Sequence, residues 1–310
     1  MIYRELGKTG MKLSALSFGA SSLGGVFHSI NEKQGIQAVH TAVEKGINFI
    51  DVSPYYGYTK AETVLGKALK GLPREKYYLS TKVGRYGKDG VNSWDYSGER
   101  AQKSVHESLK RLNIEYIDII NVHDIEFSDL DQVIKETLPA LHELKEKGLV
   151  RHVGITGLPL AKLKYVIENT PKGTVETILS FCHYCLNDDA LVDYLPFFEE
   201  HGVGIINASP LSMGLLSERG WPDWHPADEK LKERVVMAVN HCKSKNYRIE
   251  QLAMKFSVSN PKIITNLVSS SNPDNFIQNI RWTEEPQNET LLQEVLDILK
   301  PVNRLTWENT

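Results

Sequence analysis

Eight short apolar runs, separated by stretches of helical periodicity, limit this chain to very few folds. They are "ALSFG" (15–19), "INFIDV" (47–52), "YYLSTK" (77–82), "YIDIINV" (116–122), "RHVGIT" (151–156), "VETILSF" (175–181), "GVGIINA" (202–208) and "ITNLVSS" (264–270). Between them "EKQGIQAVHTAVEKG", "ERAQKSVHESLKRL" and "LDQVIKETLPALHELKEKG" read as helices; in the first, Ile36, Val39, Ala42 and Val43 recur at helical spacing. A strand that is apolar along nearly its whole length is buried on both faces, the condition of a parallel strand covered by helices. Eight such units in 310 residues predict an α/β fold of the TIM (β/α)8 barrel type. The alternative is a doubly wound open sheet. It needs a phosphate loop after the first strand, and "SFGASSLGG" is not G-x-G-x-x-G in register with a helix start.

No low-complexity linker divides the runs, so residues 1–310 are expected to form a single domain. Ahead of the first strand, "YRELGKTGMKL" reads as a β-hairpin turning at Thr9-Gly10. The long segment 209–263 carries "PLSMGLLSERGWPDWHPADEK" before its helices; three prolines and two tryptophans there suit a lid over the barrel better than disorder. The tail "PVNRLTWENT" is expected to fold back onto the barrel. A net charge of −3 gives no electrostatic reason to expect nucleic acid or an anionic membrane surface. No apolar run approaches the roughly 20 residues of a membrane helix, and the charged start "MIYRELGKTGMKLS" lacks a signal-peptide core. Three cysteines cannot make a disulfide framework, and a reducing, cytoplasmic setting is the default.

Chemistry in such a barrel gathers where strands give way to the loops that follow them, because those ends converge on one open face. The strand ends offer Asp51 and Tyr56 after the second run, Lys82 at the end of the third and His123 at the end of the fourth. Each alone has a structural explanation: a helix cap, a solvated strand end, a core histidine. Together they make a set with one purpose. A tyrosine exchanges a proton, a lysine shifts its pKa, a carboxylate holds the lysine charged, and a histidine orients a carbonyl oxygen. A lysine ammonium beside Tyr56 is expected to lower its pKa from about 10 by roughly 1–3 units.

"DVSPYYG…AETVLGKAL" resembles the D-x-x-x-x-Y-G…E-x-x-L-G pattern of the aldo-keto reductases, and "STKVG" and "NVHDIE" resemble their lysine and histidine segments. The match runs from "LGKTGMKLSALSFGAS" to "NPDNFIQNI". Segments such as "KVGRYG", "GITGLPL", "CHYCLND" and "WHPA" are similar to members that oxidise free sugars at C1 with NAD. L-galactose is the first substrate the resemblance implies, with L-fucose or D-arabinose as alternatives. It implies a catalytic tetrad of Asp51, Tyr56, Lys82 and His123, in which Tyr56 takes the anomeric proton and His123 aligns the reacting oxygen.

The resemblance also implies the cofactor contacts. Ser209, Pro210, Leu211, Met213 and Gly214 match an S-P-L-x-x-G loop along the pyrophosphate, with Ser21, Asp51, Ser271 and Asn279 completing the cofactor's surroundings. Ser269 and Asn275 fall where members that prefer NADP carry cations for the 2′-phosphate, so NAD is expected. Ala208 stands where relatives place an aromatic on the nicotinamide, and Phe181 where they place a glutamine. Thr156 and Ser180 are the remaining candidates for the carboxamide. For the sugar, Trp94 and His183 join Tyr56 and His123, with Tyr96 and Arg85 close in sequence.

Two other function classes stay open on the sequence. Aldo-keto reductase barrels also serve as channel-associated regulatory subunits, which turnover would distinguish. A metal-dependent sugar isomerase would use His123, Asp124 and Glu126, but strands five to eight end in Thr156, Phe181, Ala208 and Ser270 rather than further ligands. Cys182 and Cys185 form a C-x-x-C after a strand rather than at a helix start, which suits neither a redox pair nor zinc. No metal is expected, and the partner expected is a small aldose.

Overall fold

A computed structural model describes residues 1–26 and 29–307. Two short strands come first, β1 (Tyr3–Glu5) and β2 (Lys12–Ser14), and then eight more: β3 (Leu16–Gly19), β4 (Phe49–Asp51), β5 (Tyr78–Val83), β6 (Ile117–Val122), β7 (Val150–Gly157), β8 (Thr177–Phe181), β9 (Gly204–Ala208) and β10 (Thr265–Ser269). β3 to β10 close into a barrel. Every neighbouring pair is parallel, and the ring shuts where Leu267 of β10 stands opposite Ser17 of β3. That excludes the open sheet. The apolar runs made the strands visible because both faces are covered; all six residues of β6 are buried.

The helices are α1 (Glu32–Glu44), α2 (Lys60–Leu69), α3 (Gly98–Leu112), α4 (Leu130–Gln132), α5 (Leu138–Glu146), α6 (Leu160–Glu168), α7 (Leu195–His201), α8 (Glu229–Ser244), α9 (Ile249–Ser257), α10 (Pro273–Glu284) and α11 (Glu289–Leu299). Polar caps start several of them: the Asn31 side chain accepts from the Gln34 amide ahead of α1, and Asp228 from Leu231 ahead of α8. The helix expected over 130–148 differs from its pattern. It is interrupted by a π-helical stretch, Val133–Thr137, just before α5. Pro139 has no N–H to give the carbonyl four residues back, and the wider turn absorbs that missing bond.

The predicted hairpin, β1 paired with β2, plugs the end of the barrel where the strands begin. Leu6, Met11 and Leu13 pack there against Phe49, Ile119, Leu179, Ile206 and Leu267. Burying a side chain of this size contributes about 1.5–3 kcal/mol, so the plug stabilises the closed end and leaves the other for chemistry. The tail folds back as expected. Arg304 ion-pairs with Asp189 and Asp193, and the Trp307 ring meets His225 edge-on at 5.2 Å; residues 308–310 lie outside the described residues. No helix among the described residues is long and apolar enough to cross a membrane.

Candidate active site

Asp51 closes β4, Lys82 is the penultimate residue of β5, and His123 follows β6 directly. Lys82 points into the barrel and is 1% exposed. Its ammonium nitrogen donates to the Asp51 carboxylate at 2.5 Å, to the Val52 carbonyl at 2.9 Å and to the Tyr56 hydroxyl at 3.1 Å. Three donors meet three acceptors, so the buried charge is fully paired. Ser80 donates to the other Asp51 oxygen and fixes the carboxylate. The His123 ring stands perpendicular to that of Tyr56, with centroids 5.8 Å apart, and its Nδ1 lies 3.1 Å from the Ser53 hydroxyl.

Tyr56 reaches Lys82 because two glycines let the backbone close. A Cβ on Gly57 would sit 2.2 Å from the Gly24 carbonyl oxygen, and one on Gly24 would sit 2.6 Å from the Tyr56 carbonyl. Gly57 also has φ +62°, which glycine adopts without strain. The loop after β3 is thus pressed onto the loop that carries the tyrosine.

The electrostatics correct one sequence expectation. Burial pushes the Lys82 ammonium down, but Asp51 and Tyr56 beside it outweigh this and carry it up to about 12. The Tyr56 hydroxyl is pushed up, not down: desolvation raises it, Lys82 opposes, and Asp51 and Asp124 reinforce the rise. The lysine's field at the phenol is opposed by its partner carboxylate and by Asp124. The Tyr56 ring remains partly open to solvent, so the desolvation acts at its hydroxyl end. Burial also holds His123 well below its ordinary pKa, so its imidazole is neutral at physiological pH.

Trp94 connects to this group through an aromatic cluster. Its ring lies edge-on to Tyr55 at 6.1 Å and to Phe127 at 4.6 Å, and Tyr55 lies 6.0 Å from His123. Tyr96, two residues after Trp94, is turned inward instead. It is buried, and its hydroxyl donates to the carbonyls of His123 and Asp124. His183 is also buried, with Nδ1 3.0 Å from Asp188. Sequence reasoning passed over Ser53, Ser80 and Tyr55. "DVSPYYG" contains two of them, but nothing in the string says which would face inward.

The residues considered for the cofactor lie on the same end of the barrel. Ser209, Ser212, Met213 and Gly214 all have positive φ, folding 209–214 into a tight loop after β9. The Ser212 carbonyl accepts from His225 at 2.9 Å, which ties this loop to the segment ahead of α8. Pro210 is buried and Leu211 half-buried. Across the rim, Ser21 donates to the Ser269 hydroxyl at 3.0 Å, and the Ser22 amide donates to it at 2.9 Å. Ser271 and Asn279 are buried, while Asn275 is exposed and bonded to Ser270. The sequence from 269 to 279 contains no lysine or arginine. Thr156 is committed elsewhere: its hydroxyl donates to Asp124 at 2.9 Å. Ser180 is fully buried, its hydroxyl without a partner among the described residues.

Of the residues an isomerase would use, His123 and Asp124 stand side by side, Nε2 3.5 Å from Oδ2. Asp124 pairs with Arg85, and Glu126 accepts from the Leu158 amide. Among the described residues no cluster of three or more His, Cys, Asp or Glu could hold a metal ion. Cys182 and Cys185 are buried free thiols, and burial pushes Cys182 up to about 12, far from a reactive thiolate.

A closed parallel barrel carrying a buried lysine, carboxylate, tyrosine and histidine at its strand ends defines a class of oxidoreductase fold. The model of the aldo/keto reductase family matches residues 15–299, and the chain belongs to that family. It is 49% identical over 310 residues to the L-galactose dehydrogenase of Arabidopsis thaliana, covering 98% of this chain and 96% of that one. It is 33% identical over 229 residues to the D-arabinose 1-dehydrogenase of Saccharomyces cerevisiae, covering 70% and 67%. Among solved structures, an aldo-keto reductase from Bacillus halodurans in its holo form superposes with a TM-score of 0.81 at 26% identity, covering 100% of this chain and 99% of that one.

Proposed function

We propose that this chain is an NAD-dependent aldose 1-dehydrogenase that oxidises L-galactose at C1 to the lactone. The observation that carries the proposal is the Lys82 ammonium bonded at once to Asp51 and to the Tyr56 hydroxyl beside the buried His123 ring. A bound nicotinamide would accept the hydride from C1. The chain's own residues handle the proton and the alignment. Tyr56 takes the proton of the anomeric hydroxyl, Lys82 steadies the charge that develops on the phenol, and Asp51 keeps Lys82 charged and aimed. His123 donates a hydrogen bond to the reacting oxygen, and Trp94 and His183 are the proposed contacts to the rest of the sugar.

Several features fit a nicotinamide dinucleotide without a 2′-phosphate. The loop 209–214 and the serine pair Ser21 and Ser269 supply small polar surfaces, and the strand-end segment lacks a cation for extra phosphate charge. Ser271, Asn275 and Asn279 complete that side. Thr156 bonds to Asp124 and Ser180 is sealed, so either would have to rearrange to meet a carboxamide. The cytoplasm is the proposed setting, supported by three unpaired, buried cysteines.

The test is NADH formation with L-galactose, L-fucose, D-arabinose and D-galactose, each with NAD and with NADP. L-galactose with NAD should be turned over best, with kcat/KM at least about tenfold lower for NADP, the loss expected when a phosphate finds no charged partner. Comparable values for the two cofactors would defeat the NAD assignment. A preference for D-arabinose, supported by the yeast relative, or for L-fucose would keep the chemistry and change the substrate. No turnover of any sugar, with cofactor bound, would replace the enzyme reading with a regulatory one.

A further inference from the structure

His123 is followed by a residue with no evident reason to be strained. Asp124 has φ +47°, a left-handed conformation costly for a non-glycine residue, yet it is heavily braced. The Tyr96 hydroxyl donates to the carbonyls on both sides of the turn, at 2.8 and 3.1 Å. The Thr156 hydroxyl accepts from the Asp124 amide at 2.8 Å and donates to its carboxylate at 2.9 Å. The bend turns the carboxylate back until Oδ2 lies 3.5 Å from His123 Nε2.

A bare carboxylate at that distance would draw a proton onto the imidazole. Here it is matched by Arg85, which comes from the segment after β5 and ion-pairs with the same oxygen. The guanidinium is held by three rings, 4.0 Å from the centre of Tyr55, 4.2 Å from Trp94 and 4.8 Å from Phe127. Such stacking favours a cation that has left water. On its other nitrogen His123 meets the Ser53 hydroxyl at 3.1 Å; because the Asp124 carboxylate can only accept, both nitrogens are satisfied when Nε2–H faces Asp124 and Ser53 donates to Nδ1. The remaining proton then sits on Nε2, facing Asp124 and the reacting centre.

We infer that Arg85 and Asp124 are positioning residues that act through His123: Asp124 holds the tautomer with the proton on Nε2, and Arg85 cancels the carboxylate's charge so that the ring stays neutral. This deepens the dehydrogenase reading and rests on it. The groups facing His123 are Asp124 on its own strand end, Arg85 after β5, Lys82 on β5 with Asp51 of β4 behind it, and the phenols of Tyr55, Tyr56 and Tyr96. Of the charged ones only Asp124 favours protonation strongly, and Arg85 is its direct counterweight. The state of the ring matters to rate. Hydride leaves C1 fastest when the oxygen's electrons are least tightly held, and an imidazolium holds them more tightly than a neutral ring does.

The experiment compares Arg85→Gln, Arg85→Lys, Asp124→Asn and the double variant Arg85→Gln/Asp124→Asn with wild type across pH 5–9. It follows both sugar oxidation and the His123 ring by nitrogen-resolved NMR of the labelled, cofactor-bound protein, assigned against His123→Gln. In Arg85→Gln the ring should titrate with a pKa at least about one unit higher, and its rate relative to wild type should fall about tenfold on going from pH 8 to pH 6. Arg85→Lys should keep the wild-type profile. Asp124→Asn should lose rate equally at all pH values, and the double variant should lose the acid limb. An unchanged titration of His123 in folded Arg85→Gln, with a pH-independent loss of rate, would overturn the inference. The NMR arm does not need turnover, so failure of the substrate assignment would be seen separately.

Discussion

Lys82 shows how a charged side chain can stand inside a barrel. Its three protons each find an acceptor, and the raised pKa follows from the carboxylate 2.5 Å away rather than from exposure. Tyr56 is the group whose chemistry depends most on this pairing. Because its hydroxyl is pushed above its ordinary range, the tyrosinate fraction grows only as pH rises. Sugar oxidation by the wild type should therefore climb from pH 7 to pH 10. Tyr56→Phe should flatten the climb and lower kcat by about 10²–10⁴-fold, while the dissociation constant for NAD changes by less than about threefold. A variant keeping more than about a tenth of wild-type turnover would remove Tyr56 from the proton-transfer role.

At the scale of elements, the loop between β4 and α2 carries a heavy conformational demand. Tyr58 and Thr59 have positive φ as well as Gly57, so the chain reverses sharply before α2 begins. The reversal sends Tyr56 back over Lys82, and the contact between Gly24 and Gly57 holds it there. Gly57→Ala should disturb both. A left-handed alanine costs about 1–2 kcal/mol and its methyl meets a backbone carbonyl, so the melting temperature should fall by several degrees and kcat by about tenfold. Wild-type melting with wild-type kcat would show that the loop yields without cost. Glu62, in α2 two residues past Lys60, has a different task. It is fully buried and accepts from Thr81 at 2.7 Å and Arg111 at 2.6 Å, which ties α2 to β5 and α3.

Across the whole molecule the two ends of the barrel divide the work. The end where strands begin is closed by the hairpin and by Glu176, whose carboxylate takes Lys145 at 2.6 Å, His152 at 2.7 Å and the Val153 amide at 3.0 Å. Burial pushes that carboxyl up, but these partners outweigh it and bring it from 4.5 to about 2. A folded pKa below the unfolded one contributes stability that is fully present above about pH 4.5 and is lost as the pH falls towards 2. Glu176→Gln should lower the melting temperature at pH 7 by a few degrees, consistent with about 1–2 kcal/mol after solvent screening, with the difference shrinking on acidification. Its kcat should stay at the wild-type value, since Glu176 lies at the end away from the tetrad. An equal loss of stability at pH 3 and pH 7 would assign the effect to packing instead of charge.

The sequence by itself determined the eight strands, the hairpin and the four chemical side chains at successive strand ends. Those are encoded locally, in near-continuous apolar runs and in the first residues past each run. "INFIDV" spans 47–52 and the strand is Phe49–Asp51; the string carries the identity of the element and not its edges. The absence of a cation from 269 to 279 is local in the same way. Only the tertiary structure decided which residues meet across strands. Ser53 reaches His123 over 70 positions, Thr156 reaches Asp124 over 32, and Gly24 fits against Gly57 only once β3 and β4 are adjacent. It also reversed the expected shift of Tyr56. A phenol's pKa depends on desolvation and on every charge within a few ångströms, and those distances exist only when the barrel has closed.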